Sequence, residues 1–127
     1  MSEFKLLKHS KVAYIKLLEY VIGTNESGAF IAYIKLSENS PFRNKHYNEI
    51  PLGVHGDLTF SGNNATVLKG IAIREDWWIG WDYGHFGDYI HGDSKSSSKV
   101  WTLEEVEAEV HKAILDLVNL EKSYVGI

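Results

Sequence analysis

Between positions 77 and 88 the chain reads Trp-Trp-Ile-Gly-Trp-Asp-Tyr-Gly-His-Phe-Gly-Asp, which holds three of its four tryptophans, three glycines, two aspartates and a histidine. Aromatic rings build walls, glycines allow tight turns or close approach of a ligand, and Asp and His exchange protons, accept hydrogen bonds or bind metals. A second polar set precedes it, with His55, Asp57 and Thr59 alternating along residues 53–61. If the two segments lie side by side, that set stands beside Trp78 and Asp82, and the turn that follows adds His85 and Asp88. Two imidazoles and three carboxylates suffice for a divalent-metal site or a general acid–base pair. The spacing His85-x-x-Asp88-x-x-His91 is loose, however, and matches no strong metal motif. Trp77 and Trp78 are neighbours, so on a strand their rings point to opposite faces and cannot both enter one core. One of them is a stacking platform, a subunit contact, a partner hot spot or part of a second structural layer. The plainer use of Asp82 and Asp88 is to accept backbone hydrogen bonds in turns around Gly84 and Gly87.

These residues need elements to hold them. Residues 12–22 and 29–36 are rich in β-branched and aromatic side chains and flank the turn-forming Gly23-Thr24-Asn25-Glu26-Ser27, which predicts a β-hairpin. An amphipathic helix over 4–22 is the competing reading. The pentapeptide Ala-Tyr-Ile-Lys-Leu at 13–17 and 32–36 reflects shared strand composition rather than a repeat architecture. Residues 37–52, with Pro41 and Pro51, form a polar connection whose Arg43 and Lys45 can meet an anion or simply face solvent. Residues 53–61 predict a strand with Val54, Leu58 and Phe60 on one face and His55, Asp57, Thr59 and Ser61 on the other. Residues 66–74 predict its return, and 77–83 the third strand of a meander, with Trp77, Ile79, Trp81 and Tyr83 on one face. Residues 94–99 are a polar loop by composition.

Thr102 and Glu105 form a capping box that opens a helix reaching about residue 122. Leu103, Val106, Val110, Ala113, Ile114, Leu117 and Val118 make its apolar face; Glu104, Glu107, Glu109, Lys112 and Glu121 lie largely off it. Such a helix needs an apolar sheet face to pack on. The expectation is a single α+β domain spanning 1–127: an antiparallel sheet of about five strands, hairpin plus meander, under a C-terminal helix.

The net charge of −4 argues against nonspecific nucleic-acid binding, which needs a basic field. The absence of cysteine excludes disulfides, zinc–thiolate sites and thiol catalysis. No apolar run approaches membrane length and the first residues lack a signal-peptide core, so a cytoplasmic protein is expected. Phosphate-loop, nucleophile-elbow, His-Glu-x-x-His and dinucleotide fingerprints are all missing from the sequence.

Val54-His55-Gly56-Asp57-Leu58-Thr59 and the 77–88 segment resemble a group of small, mostly uncharacterised proteins of phages, prophages and bacteria. Their pattern is Val-His-Gly-Gly-(Leu/Ile)-Thr followed by Trp-Trp-x-Gly-Phe-Asp-x-Ala-His-x-Gly-Asp. Residues 32–36, Pro41 and Tyr47 look like their upstream strand, proline loop and tyrosine. This chain departs from the pattern with Asp57 for the second glycine, Trp81 for phenylalanine and Gly84 for alanine, and Ser37-Glu38-Asn39-Ser40 lacks a loop histidine. The resemblance implies a phage or prophage accessory protein, acting in the host cytoplasm, that inhibits a bacterial defence system by binding. Its target would be a defence protein, as for anti-CRISPR proteins, or a cyclic or modified nucleotide signal. For a nucleotide, Trp78 or Trp81 would stack the base, and Arg43, Lys45 or Arg74 would meet phosphate. The ligand-binding set is then His55, Asp57, Thr59, Trp78, Asp82, His85 and Asp88. Two alternatives stand beside it. One is a metal-assisted hydrolase in which His55, Asp82, His85 and Asp88 hold a divalent ion. The other is a homo-oligomeric interaction module with Trp77 or Trp78 in the subunit contact.

Overall fold

A computed structural model describes residues 5–13, 17–25, 28–63, 76–84 and 100–125. Five strands, β1 (Lys5–Ala13), β2 (Leu17–Thr24), β3 (Phe30–Leu36), β4 (Phe60–Gly62) and β5 (Trp77–Asp82), pair antiparallel in the order β1-β2-β3-β5-β4. Among the described residues one helix, α1 (Leu103–Val125), packs on this sheet, and one 3-10 turn spans Tyr47–Glu49. The fold is α+β. The competing helix over 4–22 does not form: that stretch supplies β1 and most of β2, as its β-branched and aromatic content favours.

The expected hairpin is the β2–β3 pair, with Tyr20 opposite Ile34 and Ile22 opposite Ala32. Its turn is closed by the Asn25 carbonyl, which accepts from Gly28 N at 2.9 Å, and by the Asn25 side chain, which accepts from Ala29 N at 3.1 Å. Gly28 has φ 86°, a conformation glycine adopts without penalty.

Strand alternation gives the sheet two faces. Leu18, Tyr20, Ile22, Ala32, Ile34, Ile79 and Trp81 point toward α1 and meet Val106, Val110, Ala113, Ile114, Leu117 and Val118. The helix starts where the capping box requires: Thr102 Oγ1 accepts from Glu105 N at 3.2 Å, and Glu105 Oε1 accepts from Thr102 N at 3.0 Å. Glu121 departs from expectation. It follows Leu117 and Val118 by one turn, so it falls on the packed face and is buried.

The opposite face is buried as well at Val21, Tyr33 and Trp78. The Tyr33 ring lies across Gly80, where an added Cβ would sit 2.6 Å from its Cδ1, and Phe60 meets that ring edge-on at 5.5 Å. Lys35 on this face pairs with Glu19 at 3.6 Å and Asp76 at 3.4 Å.

The loops depart furthest from the sequence reading. Residues 37–52 are not simply a polar connection, because they carry Phe42, Ile50 and Leu52 into the core. The strand expected over 53–61 contracts to β4, which pairs directly with β5. Before it the backbone turns, with Val54 O accepting from Asp57 N at 3.0 Å and with Gly56 and Asp57 at φ 67° and 66°. Two successive left-handed residues turn the chain before β4 begins. Leu58 enters the core on the helix side, while Phe60 joins Tyr33 on the other. The return strand expected over 66–74 lies outside the described residues.

Candidate functional site

The turn at 54–57 separates the residues expected to form one polar face. His55 faces the helix. Its backbone N–H donates to Glu109 Oε2 at 2.8 Å, and its ring stacks on Tyr83 at 4.8 Å with 5° between planes. Trp101 completes a three-ring cluster, edge-on to both at 4.8 Å. Below the rings runs a chain of hydrogen bonds. Trp81 Nε1–H donates to Tyr83 Oη at 3.1 Å, and Tyr83 Oη–H donates to Glu109 Oε1. One carboxylate therefore joins the end of β5, the 54–57 turn and α1. The 77–83 strand thus meets both the helix and the 55–59 segment, whose His55 stacks on Tyr83 and whose Thr59 N–H donates to Gly80 O at 2.9 Å. Sequence reading placed Glu109 off the packed face and Tyr83 on one strand face with Trp77, Ile79 and Trp81; their mutual bond carried no sequence signal.

Asp82 is the next residue along β5, so it points to the opposite side from Tyr83. Its Oδ2 accepts from Thr59 Oγ1 at 3.4 Å and its Oδ1 accepts from Gly84 N at 3.0 Å. Of the expected set, Thr59 and Asp82 are thus brought together, while His55 stands across the strand from them. The Asp82 charge, after burial, helps push the Tyr33 phenol up to about 12. Trp78 is wholly buried on the second face and offers no open ring for stacking or for a subunit contact. Trp81 is wholly buried too, against α1. His85, Asp88 and Arg74 lie outside the described residues. Among the described residues no three His, Asp or Glu side chains group as metal ligands would, and no helix is long and apolar enough to cross a membrane.

A second polar cluster sits where β1 and β2 meet α1. Tyr20 Oη donates to Glu107 Oε2 at 2.7 Å and lies 3.3 Å from His111 Nε2, while Lys8 Nζ pairs with Glu107 at 3.2 Å. Burial and the Glu107 carboxylate push the Tyr20 phenol up to about 12. The Tyr20 hydrogen bond, with Lys8 beside it, holds Glu107 below the usual carboxylate range.

Asp57 goes elsewhere. It stands exposed on the wall of a cleft of about 540 Å³ with Tyr47, Asn48, Pro51, Gly53 and Leu58. That volume is in the range of small-molecule sites. A shallower depression of about 370 Å³ shares Pro51 and Gly53 and runs toward Asn119 and Ser123 of α1. Half-buried Arg43 and Lys45 lie four and two residues before Tyr47 on the same loop. That loop is shaped by Asn44 at φ 66° and by His46, whose Nδ1 accepts from Asn48 N at 3.3 Å. His46 also packs its ring on Tyr47 at 4.1 Å.

The cleft can therefore supply an aromatic ring, an amide and a carboxylate to one small ligand. No protein-family model, curated protein or solved structure matches this chain.

Proposed function

We propose that the chain is a phage or prophage accessory protein that inhibits a bacterial defence system by binding, and that it does so by sequestering a nucleotide signal. The observation that carries the binding site is the cleft of about 540 Å³ between the Tyr47 loop and the Asp57 turn. Tyr47 takes over the stacking role expected of Trp78 or Trp81, and Arg43 and Lys45 keep theirs toward phosphate. The phage and anti-defence part of the proposal rests on the resemblance of the 54–59 and 77–88 segments.

The test uses Gly53. Nothing lies within 4 Å of where its Cβ would stand, so Gly53→Phe places a bulky side chain on the cleft wall from a position with open space around its first atom. Calorimetric titration with mononucleotides and cyclic dinucleotides is expected to show binding to the wild type and loss of binding in Gly53→Phe, at unchanged melting temperature. The ligand should be recovered intact on denaturation. A cleaved ligand, or equal binding by Gly53→Phe, overturns sequestration in this cleft.

Pairing between copies is a second reading, favoured by one observation. β1 is the outer strand of the described sheet and exposes Leu6 and Leu7. Lys5, Lys8 and Lys11 and the irregularity between Leu6 and Lys8 work against edge-to-edge pairing. Light scattering decides: a dimer that Leu7→Lys converts to monomer supports this reading, and a wild-type monomer removes it.

A further inference from the structure

We infer that the cleft selects a guanine-type base and that Asp57 sets the selection; this deepens the nucleotide reading and rests on it. Asp57 is an exposed residue on the cleft wall, and no hydrogen bond or ion pair engages its carboxylate among the described residues. Only its backbone N–H is used, by Val54 O at 3.0 Å. The residue also occupies a backbone position that suits glycine better, with φ 66° immediately after Gly56 at φ 67°. A side chain is thus present where the turn itself would form more easily without one. It sits in a turn closed by one backbone hydrogen bond and is followed in sequence by the core residue Leu58.

A carboxylate only accepts hydrogen bonds, and its two oxygens match two parallel N–H donors. Among the neutral bases only guanine presents such a pair, N1–H beside the 2-amino group. Adenine and cytosine set a ring acceptor next to their amino group, which a carboxylate repels. Uracil and thymine place one N–H between two carbonyls. Asn48, on the same wall, has an amide that can donate to the guanine O6, and Tyr47 supplies a ring to stack on. A guanidinium group shares the parallel N–H chemistry, so free arginine is the control that separates the two sources.

The experiment is calorimetric titration of the full chain with GMP, AMP, cyclic di-GMP, cyclic di-AMP and free arginine. It compares the wild type with Asp57→Asn and Asp57→Gly. Both replacements tolerate a left-handed backbone, so melting temperatures are expected to hold. Guanine probes should bind the wild type about tenfold or more tighter than adenine probes, as one bidentate pair predicts. Both variants should lose that preference through weaker guanine binding, with adenine binding unchanged. Equal guanine and adenine affinities, or an unaltered preference in Asp57→Asn, overturn the assignment of Asp57 and leave the nucleotide reading standing. Binding of arginine without guanine preference overturns it in favour of a guanidinium side chain. Failure of all four nucleotides to bind overturns the nucleotide reading together with it.

Discussion

Gly80→Ala tests whether Tyr33 is locked across the second face of the sheet. Gly80 sits in the middle of β5, opposite Tyr33 on one side and Phe60 on the other. A methyl group there would lie 2.6 Å from Tyr33 Cδ1, 2.9 Å from Tyr33 Cε1 and 2.9 Å from the Ala32 carbonyl oxygen. The carbonyl belongs to the β3 backbone that pairs with β5, and the ring is buried with Phe60 against its edge at 5.5 Å. Neither neighbour can yield cheaply. Overpacking of this kind costs about 1–3 kcal/mol, and a contact that presses on ring and backbone together belongs near about 3. Replacing glycine in a strand interior returns about 0.5–1 kcal/mol by restricting the unfolded chain. The net expectation is a loss of about 2 kcal/mol, read as a lower urea midpoint at unchanged slope. On a Tyr33→Leu background the ring contacts vanish and the Ala32 oxygen remains, so the cost of Gly80→Ala should fall by about half, a coupling of about 1 kcal/mol. A Gly80→Ala protein as stable as the wild type, or a cost unchanged by Tyr33→Leu, would refute the packing argument.

Three further outcomes follow from the polar clusters and the cap. Tyr83→Phe removes the hydroxyl between Trp81 Nε1 and Glu109, leaving both without that partner; a loss of about 1.5–3 kcal/mol in urea unfolding is expected, and a loss below about 0.5 would show the chain of bonds to be idle. Thr102→Ala removes the side-chain acceptor for Glu105 N and should cost about 1 kcal/mol, with Thr102→Ser restoring most of it. The pH profile should fall at both ends. Glu107 is held below its ordinary 4.5 by the Tyr20 hydrogen bond, so its contribution is present above 4.5 and lost as pH drops through the lower folded value. Tyr20 and Tyr33 are raised from 10.0 to about 12, chiefly by burial, so their contribution is complete below 10 and lost as pH climbs through 12. Melting curves of Tyr20→Phe should show a flattened acid limb; an acid limb identical to the wild type would contradict the assignment.

What the sequence revealed follows the range of the forces involved. The capping box and the 3.6-residue spacing of Val106, Val110, Ala113 and Leu117 are local, so the helix was legible to its first residue. Alternation in β5 told correctly that Trp77 and Trp78 part company, because strand geometry decides that within two residues. Whether Trp78 meets solvent depends on what lies over the second face, and no local pattern encodes that. The 53–59 stretch misled for a different reason. Its alternation of apolar and polar side chains imitates a strand, yet Gly56 and Asp57 both adopt positive φ and turn the chain. The Gly-Gly of the resembling pattern carries the same physical hint, since two glycines at these positions suit consecutive left-handed residues. Asp at 57 hides it, being among the few side chains that tolerate the conformation.

The exposed Asp57 also bears on where the proposed site lies. The carboxylates that tie elements together elsewhere in the described structure already have partners. Glu109 accepts from Tyr83 and His55, Glu107 from Tyr20 and Lys8, and Asp82 from Thr59 and Gly84. Glu19 binds His9 and Lys35, Asp76 binds Lys35, and Asp116 binds Lys112. Each of these fastens one element to another or to its own helix, so the dense 77–84 segment reads largely as the fastening between β5, the 54–57 turn and α1. A group held by neighbouring donors must surrender them to take a ligand, which lowers the gain from binding. Among the described residues Asp57 surrenders nothing of the kind, because only its backbone N–H is in use there. Under the proposed nucleotide reading, Asp57 is therefore better placed to meet a ligand than His55 or Asp82.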